Sequence, residues 1–181
     1  FSSSGQIMPD GDGLFCEAVC CHYFTQISTS KTGMVACALE LDQLDGDSFK
    51  ESKSNRAELA RVSCVLNFKE FTNPIGLQYL PARYEEMLRT LAAPLRPRTF
   101  LTAGTSAPDA ERTVREDQYF EFVRTWKIAV REMGADWGAE IDEILAEALK
   151  RRVISLQITL NTACPQIGVA VELLRSRGFF F

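Results

Sequence analysis

Apolar residues fill both alternating sets of positions from Gly13 to His22: Leu14, Cys16, Ala18 and Cys20 on one, Phe15, Val19 and Cys21 on the other, with Glu17 the exception. Alternation with both faces apolar predicts a central strand covered on two sides. Tyr23 to Lys31 is rich in Ser and Thr and predicts a short helix, stopped by Gly33. Met34 to Leu41 predicts a second strand. The end of the chain repeats this plan: a strand over Val153 to Asn161, a helix from Cys164 stopped by Gly178, and a closing strand at Phe179-Phe180-Phe181.

Between these units the pattern alternates in the same way. Residues 1–13 and 42–58 are polar, and Asp45-Gly46 marks a turn. Arg61 to Phe68 predicts a strand, Asn73-Pro74-Ile75-Gly76 a turn, and Leu77 to Leu80 a short extended piece. Pro81 opens a helix whose apolar stripe is Tyr84, Met87, Leu88 and Leu91. Pro94 to Asp109 reads as a linker-like loop and the one plausible boundary. Gln118 to Arg131 predicts a strand, with its aromatic residues Tyr119, Phe120, Phe122 and Trp126 in the core. Trp137 to Leu149 predicts a helix capped by Asp136, with Trp137, Ile141, Ile144, Leu145 and Leu149 on one face. Strands alternating with single helices give an α/β (α+β) fold: a mixed, mostly antiparallel sheet flanked by helices.

Composition narrows the partners. The chain has 181 residues, 46% of them hydrophobic, with 20 basic against 24 acidic side chains and a net charge of −4. It is long enough for a full core, and its charge balance favours neither nucleic acid nor membrane as a partner. No apolar run reaches the roughly 20 residues of a membrane helix. The six cysteines lie mostly in apolar, strand-like runs. They read as reduced, buried thiols of a cytoplasmic protein rather than a disulfide framework. Phe1 is an unusual start and Phe181 an unusual end, so the chain reads as part of a longer one.

Candidate chemistry centres on His22, the only histidine, at a strand-to-helix junction. It is the candidate general base, with Glu17 as orienter or second acid. Their odd spacing sets them on opposite faces of a strand, and the plainer reading of His22 is packing or capping at the strand end. Cys16, Cys20, Cys21 and His22 lack the Cys-x-x-Cys pairs of a zinc site, and adjacent residues of a strand point apart, so no metal is expected. Cys21 beside His22 is a conceivable nucleophile with no feature that lowers its pKa. Asp42, Asp45, Asp47 and Glu51 miss the calcium-loop pattern, whose last position falls on Lys53 or Arg56. Glu140, Asp142, Glu143 and Glu147 on the predicted helix, with Lys150, Arg151 and Arg152 following it, complement its dipole as a surface pattern.

GLFCEAVCCHYFTQISTSKTGMVACALEL, with Gly33-Met34 at the helix end, and CPQIGVAVELLRSRGFFF, with Gly178-Phe179, resemble the end of a GNAT acyltransferase fold. EAVCCHYFTQ and LPARYEEML resemble GNAT-like modules of bacterial proteins, some fused to anti-sigma-type ATP-binding domains. The resemblance implies two GNAT-like halves, residues 1–93 and 110–181, the second truncated at its C-terminus. It implies acyl transfer from acetyl-CoA or another acyl-CoA to an amine after deprotonation by a base, for which His22 or Glu17 is the catalytic candidate. The alternative is a non-catalytic sensor that binds a small acyl ligand or a partner protein. In the family a Gln/Arg-x-x-Gly-x-Gly/Ala loop opening a helix binds the coenzyme pyrophosphate. Gln6 with Gly11-Asp12-Gly13 has the wrong spacing, an acid and a following strand. The family's tyrosine, one turn before the Gly-Phe pair, is replaced by Thr29 and Leu174.

Overall fold

The computed structural model describes residues 12–45, 61–73 and 76–181. Their contacts divide the chain into two compact units. One holds the described residues up to 73 with Arg89–Arg98; the other holds Gly76–Leu88 and Thr99–Phe181. The fold is mixed α+β, with four α-helices and three separate sheets among the described residues rather than one.

In the first unit, β1 (Gly13–Val19), α1 (Tyr23–Lys31), β2 (Val35–Asp45) and β3 (Arg61–Glu70) form a three-stranded antiparallel sheet in the order β1-β3-β2. β1 is therefore an edge strand, not the central one expected, and its Phe15 and Glu17 are exposed. It also stops at Val19: Cys20 and Cys21 form a turn, closed by the His22 N–H donating to the Val19 carbonyl at 3.2 Å. β2 runs past the expected end at Leu41 through an irregularity between Glu40 and Leu44. Arg61 pins that irregularity by donating to the carbonyls of Asp42 (2.6 Å) and Gln43 (3.1 Å). The calcium-loop positions beyond Asp45 and the Pro74-Ile75 turn lie outside the described residues.

The second unit begins with β4 (Leu77–Leu80), a 3-10 turn (Ala82–Tyr84) and the start of α2 (Glu85–Ala92), along which the unit boundary passes. β5 (Thr99–Thr102) interrupts the segment expected to be a loop and pairs parallel to β4. The single strand expected over Gln118 to Arg131 is two: β6 (Val114–Phe120) and β7 (Thr125–Glu132), antiparallel, separated by a 3-10 turn ending at Arg124 with φ 50°. α3 (Trp137–Lys150) crosses over to β8 (Ser155–Leu160), which is parallel to β7, and α4 (Ile167–Ser176) follows. Trp126, Ile128 and Val130 alternate inward from β7 onto Trp137, Ile141 and Ile144 of α3, while Ala170 and Leu174 of α4 complete the core. Three further expectations fail here. Phe120 and Phe122, assigned to the core, are 38% and 84% exposed. Leu149, assigned to the apolar face of α3, is 81% exposed. Phe179–Phe181 form no strand: Phe179 packs on the core and Phe181 stacks on Tyr84 at 5.2 Å.

Three helices end in the same way. After α1 the Gly33 and Met34 N–H groups donate to Ser30 and Thr29; after α4 those of Gly178 and Phe179 donate to Arg175 and Leu174. After α3 those of Arg152 and Val153 donate to Leu149 and Ala148. These are Schellman ends, which require a left-handed residue at the first position. Gly33 (φ 73°) and Gly178 (φ 90°) supply it without strain, whereas Arg152 (φ 53°) does so despite its Cβ.

Candidate functional site

His22 occupies the N-cap of α1 in extended conformation, and its side chain makes no cap hydrogen bond. Its carbonyl accepts the Thr25 hydroxyl at 2.8 Å, and its ring lies 5.8 Å from that of Phe24. Glu17 instead accepts the Gln43 side-chain N–H at 2.8 Å. The two residues belong to the same unit, but no hydrogen bond joins the imidazole to the carboxylate. Thr29 is buried and donates its hydroxyl to the Gln26 carbonyl, and Leu174 lies in the core, so neither stands in for a proton-donating tyrosine. None of the six cysteines forms a disulfide; only Cys64 is buried, and Cys20 is exposed, contrary to the expectation of mostly buried thiols. Among the described residues no three metal-binding side chains converge.

The second unit offers a different place. β7 and β8 are parallel, and ligands of open α/β sheets bind beyond the carboxyl ends of parallel strands. At those ends lies a recess lined by Val130, Arg131, Met133, Asn161, Cys164 and Ile167. Its interior is about 10 Å³, room for roughly one water. Its polar groups are already engaged: Asn161 Oδ1 accepts the Ala163 N–H at 2.9 Å, the Cys164 thiol donates to Gln166 Oε1 at 3.2 Å, and Arg131 donates to Glu116 at 2.7 Å. A ligand pocket of the usual several hundred Å³ is not preformed here.

The turn from β7 into α3 carries a spacing that reading the sequence alone missed. Arg131-Glu132-Met133-Gly134-Ala135-Asp136 places Arg and Gly at the first and fourth positions of the pyrophosphate loop, directly before a helix, with Asp at the sixth. The signal was the Arg-x-x-Gly spacing, hidden because the preceding strand boundary was blurred. The geometry nevertheless commits the donors elsewhere. The Gly134 N–H donates to Thr113 Oγ1 at 3.0 Å, the Ala135 N–H to the Ala110 carbonyl at 2.8 Å, and the Trp137 N–H to the Gly134 carbonyl at 3.1 Å. Asp136 accepts both the N–H and the hydroxyl of Thr113 at 2.8 Å, so its carboxylate stands at the helix N-terminus where an anion would bind. This turn does not fit the pyrophosphate of coenzyme A. No family model, curated protein or solved structure matches the chain.

Proposed function

We propose that this chain is a GNAT-like module without the transfer reaction, acting as a sensor or protein-interaction module of a bacterial regulatory protein. The observation that supports this reading is the closed β7–α3 turn. Three of its N–H groups are satisfied within the protein, and the Asp136 carboxylate at the helix start repels a phosphate. Gly33 and Gly178, the glycines that carry the resemblance to GNAT helix ends, both take Schellman geometry. That motif is general to helices and carries no activity.

The alternative, transfer of an acyl group from acyl-CoA to an amine with His22 or Glu17 as base, keeps one supporting observation. The recess beside Asn161 and Cys164 lies at the carboxyl ends of parallel strands, which favours a ligand in the second unit, whereas His22 and Glu17 belong to the first. A thermal-shift titration with acetyl-CoA, free CoA and a long-chain acyl-CoA separates the two. A module without the coenzyme site shows no dose-dependent rise in Tm up to millimolar ligand. A saturable rise, which native-state binding produces by mass action, would replace the proposal with the acyltransferase reading. It would also justify assays of His22→Ala and Glu17→Gln.

A further inference from the structure

Three segments of the second unit meet at the end of the sheet opposite the recess. Phe120, Thr125 and Ser155 stand side by side in register where β6 ends and β7 and β8 begin. Just beyond them lie the 3-10 turn with Phe122, the last turn of α3 with Leu149, and Ile154, whose N–H donates to the Arg124 carbonyl at 2.9 Å. Phe122 is 84% exposed, matching Leu149, and Ile154 is 42% exposed. Leu149 and Phe122 both follow an apolar pattern, yet neither is buried in its own unit.

The same end carries Arg124, Lys150, Arg151 and Arg152 against two acids, Glu121 and Glu147, in a chain whose net charge is −4. Lys150 and Arg151 share Glu147, and the Arg151 guanidinium lies over the rings of Trp126 and Tyr119. The side chains of Arg124 and Arg152 have no hydrogen bond or ion pair among the described residues. Both take left-handed backbone, φ 50° and 53°. At the position matching Arg152, the chain puts glycine in its other two Schellman ends. Arginine here accepts backbone strain that glycine would remove, and strain retained at the surface points to a use for the side chain.

We infer that this end of the second unit is a docking surface for an acidic, apolar protein segment. Phe122, Leu149 and Ile154 form its apolar centre, and Arg124 and Arg152 form its cationic rim. An apolar centre with an arginine rim is the anatomy of a protein interface. Of the four cations here, Lys150 and Arg151 are paired with Glu147, which leaves two unpaired where a cluster of four to eight draws a protein to anionic lipid. The inference rests on the partner-protein half of the proposed function and names the chemistry of that partner.

Panning a random dodecapeptide phage library on the 181-residue chain tests it. The chain carrying Phe122→Ser, Arg124→Gly and Arg152→Gly serves for counter-selection. We expect enriched peptides that combine Asp or Glu with Leu or Phe. By fluorescence anisotropy they bind the parent chain at least tenfold more tightly than the variant, and more weakly in 500 mM than in 50 mM NaCl. Because glycine suits both left-handed positions, Arg124→Gly with Arg152→Gly melts no lower than the parent. A lower Tm for that pair would make the arginines structural and overturn the inference. So would the absence of enrichment, enrichment without acidic bias, or equal binding by the variant. Flotation with phosphatidylcholine–phosphatidylserine vesicles, but not with pure phosphatidylcholine, would put a membrane in the partner's place. Coenzyme binding in the thermal titration would remove the non-catalytic reading and leave the peptide result standing, so the two failures are distinguishable.

Discussion

Gly134 lies so close to Thr113 that a Cβ on the glycine would sit 2.5 Å from the Thr113 nitrogen, and closer still to the Arg112 carbonyl carbon. Both are backbone atoms held by the Ala110–Gly134 bridge, so neither can swing aside. Gly134→Ala is expected to lower stability by about 3 kcal/mol, the upper part of the overpacking range. The urea midpoint, with the slope unchanged, measures it. A loss under about 0.5 kcal/mol, typical of a neutral surface change, would show that this approach is not tight.

Thr113 is the hub of that turn. Its hydroxyl donates to Asp136 and accepts from the Gly134 N–H. Thr113→Val preserves shape but leaves a part-buried N–H without its acceptor. We expect a loss of about 1–3 kcal/mol, and faster amide exchange at Gly134 than in the parent. Unchanged exchange at Gly134 would show that the N–H has another acceptor.

Cys64 sets a pH dependence. It is 1% exposed at the centre of the first sheet, opposite Val19 on one side and Glu40 on the other. Burial pushes its thiol from 9.0 up to about 12, helped by the carboxylates of Glu17 and Glu40. The unfolded chain therefore loses this proton first as pH rises. Stability from the neutral thiol is complete below pH 9 and is lost progressively toward pH 12, by up to about 1.4 kcal/mol per pH unit. Urea midpoints at pH 8 and pH 10.5 should fall more steeply for the parent than for Cys64→Ala. At pH 8, mass-mapped iodoacetamide labelling should mark exposed Cys20 well before Cys64.

Arg177 ties α4 to α3 with two bonds to Asp142, 2.6 and 2.9 Å, and further bonds to the carbonyls of Gly138 and Leu173. The hydrogen bond from Arg177 holds the Asp142 carboxyl below its ordinary value. Its contribution is present above the usual carboxylate range and is lost as pH falls through the lowered pKa. Arg177→Lys cannot make the paired contact. It should lower Tm at pH 7 and flatten the fall in Tm from pH 5 to pH 2. Parallel acid curves for the two proteins would contradict this account.

Much of the fold was legible where local chemistry acts alone. Glycines at 33 and 178 marked helix ends because left-handed backbone is costly for other residues. The same rule hid the turn at Arg124, where a non-glycine residue takes that conformation and no Gly, Pro or Asn breaks the pattern. The Thr99–Thr102 strand was invisible because four residues acquire strand character only by pairing with Leu77–Leu80. His22 could be placed at a strand-to-helix junction from the pattern, but the committed donors of the Gly134 turn could not. They depend on Ala110 and Thr113, more than twenty residues away.

The sequence by itself determined the strand–helix–strand order from Gly13 to Leu41, the inward face of α3 through Trp137, Ile141 and Ile144, and the two glycine stops. Periodicity and backbone sterics are properties of neighbouring residues, so they can be read in one dimension. Tertiary structure alone decided that β1 is an edge, that Phe179–Phe181 pair with no strand, and that Leu149 and Phe122 stay in solvent. It also decided that the Arg131–Asp136 turn, despite its coenzyme-like spacing, spends the Gly134, Ala135 and Trp137 N–H groups on its own chain. Burial and hydrogen-bond satisfaction depend on which distant segments arrive, and one chain's local pattern does not encode that.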